Sequence, residues 1–177
     1  TWGGGGFVGT GGVQNLVLNS TTALSYVDFR NAIDFGDSQR TINVLDNTST
    51  GADYAIVSGV LSGAGGGLRK IGAGILRVTA ANTYTGLTEV TAGTLQVFSL
   101  GHSGDAPNTA TSVGLSGVPM TDANAIVLGN GGSTGGLLQY MGPGEISDRK
   151  IRLNTTTGSN QIHADGSGPL ILTNVVN

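Results

Sequence analysis

The sequence of 177 residues contains no cysteine, few charged residues and no long apolar run. Without cysteine the chain cannot form disulfides or thiolate metal sites, which is compatible with export. Charged residues make up 11% of the chain and its eight Lys and Arg residues are scattered, whereas a nucleic-acid surface needs a cationic stripe. No run approaches the roughly 20 apolar residues of a membrane span. The absences therefore disfavour nucleic acid as a partner and membrane insertion of this segment.

Proline is also rare, with four residues, whereas glycine is abundant, with 32. A collagen triple helix is excluded because the glycines do not recur at every third position. Disorder is disfavoured because apolar residues make up 38% of the chain and occur in short alternating clusters. The chain begins at Thr1 without a basic and then apolar leader, so we expect a mature or excised piece of an exported protein.

Short alternating segments bounded by Gly, Asn, Asp or Ser recur along the chain and indicate β-strands. No window has the apolar spacing of an amphipathic helix, so the chain is predicted to be all β. Residues 74–78 and 93–97 share the form Gly-x-Leu-x-Val, which places Leu76 and Leu95 nineteen residues apart. A strand that recurs at about 20 residues predicts a β-solenoid with one repeat in each coil.

The solenoid hypothesis makes specific predictions for the side chains of this repeat. Residues of equal rank in successive parallel coils lie about 4.8 Å apart, so Leu76 is expected over Leu95 in the interior. Arg77 and Gln96 are expected to face outward. Each buried Leu, Ile or Val contributes roughly 1.5–3 kcal/mol, and only neighbouring coils make that burial possible.

Residues 82–86, Asn-Thr-Tyr-Thr-Gly, are predicted to form a corner of the coil. Asn82 can satisfy turn amides with its side chain, and Gly86 can adopt a positive φ. Tyr84 is expected to cover this corner rather than to bind a ligand.

Residues 72–97 as a whole follow the pattern G-x-G-x-L-x-L-x-x-x-N-T-Y-x-G-x-T-x-V-x-x-G-x-L-x-V, with Val in place of Leu at position 78. In this pattern the chain resembles the autotransporter-associated β-strand repeat, also called the passenger-associated transport repeat. The resemblance implies an all-β, right-handed parallel β-helix with about 20 residues per coil, in a large exported protein of the bacterial surface. It also implies a family that is not enzymatic. The residues that carry the structural motif are Gly72, Gly74, Leu76, Val78, Asn82, Thr83, Tyr84, Gly86, Thr88, Val90, Gly93, Leu95 and Val97.

The predicted organisation is a single β-helical segment over residues 1–177, cut from a larger array, with the repeat at residues 72–97. A longer echo supports the array, because residues 38–44 and 147–153 share Ser-x-Arg-x-Ile-x-Val/Leu at an offset of 109. Residues 102–122 contain two of the four prolines and little alternation, so they are predicted to leave the wall as a loop. Solenoids often place binding residues in such loops, although a plain surface insertion would have the same composition.

Motifs of nucleophilic catalysis are incomplete in this chain. Residues 36–38, Gly-Asp-Ser, begin like an esterase block, but no second block supplies the base that an active serine needs. Residues 101–105 nearly form Gly-x-Ser-x-Gly, but Asp105 replaces the last glycine. His102 and His163 lack metal-ligand spacing, so no metal and no cofactor is expected.

Enzymes that act on polysaccharides are an alternative class, because many β-helices gather acidic and basic residues on one outer wall. Asp28, Arg30, Asp34 and Asp37 form the densest charged set. A hydrolase needs two carboxylates about 5–10 Å apart, and a lyase usually needs a cluster of oxygen ligands for calcium. A solvated charged face is the better explanation of this set.

The sequence thus predicts a non-enzymatic, extracellular β-helix that serves a structural or adhesive role on the bacterial surface. A further alternative is an adhesin that binds a surface glycan or host ligand, with contacts on the outer wall or in residues 102–122. The open strand edges of an uncapped solenoid predict one of two outcomes: the piece is cut from a longer protein, or copies associate end to end into a fibre.

Overall fold

The computed structural model describes residue 2 and residues 15–176. This part of the chain forms nineteen strands of two to six residues and contains no α-helix, only a short 3-10 helix at Asp122–Asn124. The predicted extension of the β-helix to residues 1, 3–14 and 177 lies outside the described residues. Strands dominate because glycine interrupts any helical run and because Val, Ile and Thr favour a pleated, half-buried surface.

Two large parallel sheets form two faces of the molecule. Sheet 1 consists of β1 (Asn15–Leu18), β4 (Gln39–Val44), β7 (Gly67–Ile71), β9 (Thr88–Val90), β13 (Ile126–Leu128), β16 (Ile151–Leu153) and β19 (Val175–Val176). Sheet 2 consists of β2 (Val27–Phe29), β5 (Ala55–Val57), β8 (Ile75–Val78), β10 (Thr94–Val97), β14 (Leu137–Tyr140) and β17 (Gln161–Ala164).

A third face is built from short strand pairs. Its parallel pairs are β3 (Ile33–Asp34) with β6 (Leu61–Ser62), and β15 (Glu145–Ser147) with β18 (Leu170–Leu172). Between these pairs lies the antiparallel hairpin of β11 (Thr109–Thr111) and β12 (Gly114–Ser116).

The chain visits sheet 1, sheet 2 and the third face in turn and then returns to sheet 1 beside its previous strand. Every neighbouring pair in sheets 1 and 2 is parallel, so each circuit is one coil of a solenoid. The predicted parallel β-helix is therefore confirmed. Its core lies inside the coils, where each coil is sealed only by the next.

The inner side chains of sheet 2 form a continuous column. Leu76 pairs directly with Leu95 as predicted, and both side chains are fully buried. The other members of the column, in spatial order, are Val27 and Ala55 before this pair and Leu138 and Ile162 after it. Stacking of equal ranks removes apolar surface from water along the whole sheet, which makes this column a main source of stability.

Coil length depends on the corner between sheet 1 and sheet 2. In the repeat this corner has three residues, 72–74 in one coil and 91–93 in the next. The corresponding corners elsewhere are residues 19–26, 45–54, 129–136 and 154–160. A period near 20 residues consequently describes the coils of the repeat, whereas the paired residues Val27 and Ala55 lie 28 positions apart.

The excursion, defined here as residues 98–125, interrupts one coil between sheet 2 and sheet 1. Because of this insertion Leu95 pairs with Leu138, 43 positions later. The hairpin of the excursion is packed against residues 82–86 of the preceding coil: the Leu115 amide donates to the Tyr84 carbonyl at 3.1 Å, and the side chain of Val113 is buried.

The long sequence echo corresponds to equivalent places in the solenoid. Its two copies include β4 and β16, which both belong to sheet 1 and lie four coils apart. Arg40 and Arg149, at the same rank of the echo, each donate from Nε to a backbone carbonyl, Phe35 and Leu100 respectively. The two copies of the echo thus share a hydrogen bond from arginine to a backbone carbonyl as well as a strand of sheet 1.

Candidate functional site

The glycines of the repeat meet two different physical requirements. Gly72 and Gly93 have φ angles of 81° and 65°, in a region that residues other than glycine rarely adopt. Gly86 does not have a positive φ, contrary to the prediction. A β-carbon there would instead lie 2.6 Å from the carbonyl oxygen of Gly66. The close approach of two coils, and not the turn conformation, therefore requires glycine at position 86.

Asn82 joins three parts of the structure with one buried side chain. Its Oδ1 accepts from the Leu61 amide at 2.7 Å, in the preceding coil. Its Nδ2 donates to the Ser112 carbonyl at 2.9 Å, in the excursion. Asn82 thus satisfies backbone groups as the sequence predicts, but those groups belong to neighbouring segments rather than to its own turn.

Tyr84 lies in the core, with its side chain fully buried. Its ring packs against Phe35 at a centroid distance of 5.6 Å, and its hydroxyl lies 2.6 Å from Thr88 Oγ1. Burial raises the pKa of Tyr84 to about 12, and the hydrogen bond with Thr88 opposes this effect only in part. The ring is thus unavailable to an external ligand.

The outer wall of sheet 2 has a row of polar side chains that are joined across coils. Arg77 Nε donates to Gln96 Oε1 and Gln96 Nε2 donates to Gln139 Oε1, each at 2.7 Å. Gln139 Nε2 then donates to Asp165 at 2.6 Å. We call these four residues the polar ladder. Arg77 and Gln96 point to the outer side of sheet 2, as predicted. Arg77 is half-buried and Gln96 is only 7% exposed, so the middle of the ladder is partly covered.

Two tyrosines extend the same wall beyond the polar ladder. The Arg77 guanidinium lies 4.6 Å from the centre of the Tyr54 ring, and Tyr54 stacks on Tyr26 at 5.3 Å. Tyr26 is 53% exposed. Planar polar groups next to aromatic rings can contact sugars and peptides alike, so this wall is a candidate contact surface.

The beginning of the excursion is held by carboxylates. Glu145 accepts the amides of Leu100 and Gly101 at 2.6 and 3.3 Å. The next two amides, those of residues 102 and 103, donate to Asp105 and Asp148, each at 2.8 Å. Burial raises the pKa of Glu145, and its two amide hydrogen bonds offset this effect incompletely.

The buried side chain of Arg149 binds three backbone carbonyls of the excursion. The guanidinium is buried and donates to the carbonyl oxygens of Leu100, Asn124 and Leu115 at 2.6, 2.9 and 2.8 Å. These carbonyls lie at the start, at the end and in the hairpin of the excursion, so one side chain from the following coil fastens the whole insertion. Burial lowers the pKa of Arg149. The guanidinium nevertheless remains charged, because arginine does not lose its proton in proteins.

Ser103, His102 and Asp148 meet at this point, but their arrangement differs from that of a catalytic triad. The Ser103 hydroxyl donates to Asp148, and His102 Nε2 lies 3.8 Å from the same carboxylate. His102 Nδ1 accepts from the Gly104 amide at 2.8 Å. Because the acid stands between serine and histidine, no base is placed to activate the hydroxyl. The cluster fastens a loop.

The charged set of the enzyme alternative does not form one site. Asp28 lies on β2 and pairs with Arg30 at 2.7 Å, whereas Asp34 lies on β3 in a different sheet and accepts from the Gly36 amide. Asp37 accepts from the adjacent Ser38 hydroxyl at 3.0 Å. Hydrogen bonds from Ser58 and Arg30 lower the pKa of Asp28. The carboxylates of Asp28 and Asp34 therefore lie in different sheets and have different hydrogen-bond partners.

His163, on the outer wall near Asp165, and His102 belong to separate coils. Within residue 2 and residues 15–176, no three His, Cys, Asp or Glu side chains are grouped so that they could hold a metal ion. The same residues include no helix with the length and apolarity that a membrane crossing requires.

Comparison with known proteins gives two similarities. The family described as Passenger-associated-transport-repeat matches residues 68–97. The chain is also 30% identical over 134 residues to the "Adhesin BmaC autotransporter" of Brucella suis biovar 1 (strain 1330). That similarity covers 75% of this chain and 3% of the adhesin, so the chain spans a small part of its relative's length. No solved structure is significantly similar.

Proposed function

We propose that this chain, which contains a passenger-associated transport repeat at residues 68–97, is a rigid, non-enzymatic module of a bacterial surface protein and presents an adhesive wall. The wall consists of the polar ladder together with Tyr26 and Tyr54. The observation that carries the proposal is the ladder itself, because its side chains are fixed in place before any ligand arrives, which reduces the entropy lost on binding.

The similarity to an autotransporter adhesin supports the adhesive part of this proposal. The separation of Asp28 from Asp34, and the unsuitable order of Ser103, Asp148 and His102, support the non-enzymatic part. A surface glycan or host protein is the proposed external ligand, since the wall offers hydrogen-bonding groups and aromatic surface without a strong charge of one sign.

Adhesion measurements test the proposal. The wild-type chain, immobilised on beads, is expected to bind a glycan array or a host-cell monolayer. The variant R77A/Q139A, which removes two members of the polar ladder, should lose most of this binding. The matched control R69A/E89A changes an ion pair on the outer surface of sheet 1 and should bind like the wild type. Equal binding by all three proteins would contradict a role for the outer wall of sheet 2.

End-to-end self-association into a fibre stays a prediction from the sequence. Light scattering over a wide concentration range tests it, because heterologous contacts that do not close produce species of growing size. A constant monomeric mass at high concentration would rule out self-association of this chain and would leave the adhesive proposal intact.

A further inference from the structure

Lys70 has a charged side chain at an inward position of sheet 1. Its neighbours of equal rank are Ile42 in the preceding coil and Val90 in the following coil, and all three side chains are fully buried. A lysine in such a column loses its water shell, and burial lowers the pKa of Lys70 to about 7. The adhesive role of the outer wall makes no use of this group.

The Lys70 ammonium group is satisfied by the backbone alone. Its Nζ donates to the carbonyl oxygens of Ile71, Gly72 and Ala92 at 3.2, 2.6 and 2.9 Å. An ammonium group has three donors, so three acceptors complete its hydrogen bonding. Among the described residues no carboxylate forms an ion pair with Lys70, and Asp46 acts on it only at longer range.

The glycines of the repeat create this arrangement of carbonyls. The two three-residue corners, 72–74 and 91–93, lie next to each other in successive coils and contain the positive-φ residues Gly72 and Gly93. A β-carbon on Gly93 would lie 2.5 Å from the Gly72 carbonyl oxygen. The second corner also binds the backbone of Lys70, since the Thr91 amide donates to the Lys70 carbonyl at 3.0 Å.

We propose that the carbonyl oxygens of Ile71, Gly72 and Ala92 form a backbone cation site between the two coils of the repeat, whose resident ion is the Lys70 ammonium group. Carbonyl oxygens can replace the hydration shell of a monovalent cation, and buried carbonyls without a donor are costly. The ligand class of this site is a small primary amine, which the site holds as the ammonium ion below about pH 7 and more tightly as the neutral amine above it. A chain that lacks the Lys70 side chain should therefore take up such an ion from solution.

Chemical rescue of the full 177-residue chain tests the site. The variant K70A retains the β-carbon, and n-propylammonium has the size and charge of the atoms that are lost. At pH 6, n-propylammonium chloride should raise the Tm of K70A by at least about 2 °C and in a saturable manner, because a ligand that binds only the folded state stabilises it. Sodium chloride at the same ionic strength and 1-propanol at the same concentration should not raise it.

Two further proteins serve as controls for the rescue. K70M fills the same space without charge, so neither K70M nor the wild type should respond to n-propylammonium. Equal Tm shifts of K70A in n-propylammonium and in 1-propanol would overturn the proposal, because the site would then select apolar volume and not a cation. The absence of any shift in folded K70A would overturn it as well.

If K70A does not fold, the variant K70C provides the same test, since the chain has no other cysteine. Alkylation of the unfolded protein with 2-bromoethylamine restores an ammonium group at the reach of lysine, whereas iodoethane adds an uncharged chain. Recovery of the native circular dichroism spectrum after the first treatment alone supports the cation site. Equal recovery, or recovery after neither treatment, overturns it.

Discussion

At the scale of the residue, the β-helix depends on buried polar side chains whose partners are backbone groups of neighbouring coils. Asn82 and Arg149 satisfy carbonyls and amides that the irregular parts of the coils leave without strand partners. A buried backbone group without a partner costs about 1–3 kcal/mol, so these few side chains matter as much as large apolar residues. The repeat is held together by polar contacts as well as by its leucine column.

Lys70 predicts an unusual dependence of stability on pH. The pKa of Lys70 is depressed in the folded state from 10.5 to about 7, so above pH 7 the unfolded chain binds more protons than the folded chain. Stability is therefore expected to rise as the pH increases, by about 3 kcal/mol between pH 7 and 9.5. Urea denaturation should show this rise in the wild type and not in K70M, where no group titrates at this position. Parallel pH profiles of the two proteins would contradict the depressed pKa.

Tyr84 predicts the opposite trend at higher pH. Its folded pKa is raised from 10.0 to about 12, so its contribution to stability is complete below pH 10 and is lost as the pH rises towards 12. Y84F should remove this alkaline loss and should also cost about 1–3 kcal/mol at pH 7, because Thr88 loses its buried partner. The exposed Tyr26 provides the control, and Y26F is expected to change the midpoint of urea denaturation little. A Y84F protein as stable as the wild type at pH 7 would show that the hydroxyl contact contributes nothing.

At the scale of the element, the excursion is anchored by a coil that follows it in the chain. Glu145, Asp148 and Arg149 all belong to the third face or to its following corner in the next coil. These three side chains bind backbone groups at the start of the excursion, and Arg149 also binds the Leu115 carbonyl of the hairpin β11–β12. Docking of the excursion is therefore coupled to the winding of the coil that contains β15.

The variant R149M tests this coupling. It should lower the free energy of unfolding by about 3 kcal/mol or more, because three carbonyls lose a charged donor. Limited proteolysis should then cut faster within residues 98–125, as mapped by mass spectrometry. R152M, at an exposed arginine of β16, is the control and should be cut like the wild type. Equal cutting of R149M and wild type would mean that Arg149 does not secure the excursion.

The stacking of Leu76 on Leu95 could be predicted because both the alternation within each strand and the distance between the strands are visible in the sequence. The roles of Lys70 and Arg149 could not, since a basic residue in an alternating pattern normally faces water. The reason for glycine at position 86 could not be predicted either, because the carbonyl that approaches it belongs to Gly66 in another coil. The polar ladder depends on which strands become adjacent, and the excursion places β10 beside a strand 43 residues further along.

At the scale of the whole molecule, the solenoid has no single centre, and each coil depends on its immediate neighbours. The strands β8 and β10 bury every inward side chain, whereas β17 has three exposed residues and one half-buried residue. Local stability should follow this difference in burial. The 177-residue chain is thus expected to open coil by coil and not in one cooperative step.

Hydrogen exchange followed by mass spectrometry measures this gradient. Amides of β8 and β10 should exchange at least about tenfold more slowly than those of β17. Opening the coil that contains β17, the last strand of sheet 2, exposes less apolar surface. Peptides from β5 provide an internal comparison and should resemble β8, since the side chains of Ala55 and Val57 are fully buried. Uniform protection across these strands would indicate a single cooperative unit instead.

The corner between the two large sheets varies from three residues at 72–74 to ten at 45–54, yet the strands on either side keep their register. Insertions at this edge are therefore absorbed locally, one winding at a time. The length and sequence of these corners can therefore vary without a change in the register of the two large sheets. For the same reason an engineer could graft foreign peptides into residues 129–136 or 154–160, and a row of grafts would project from one edge of the solenoid at intervals of about 4.8 Å.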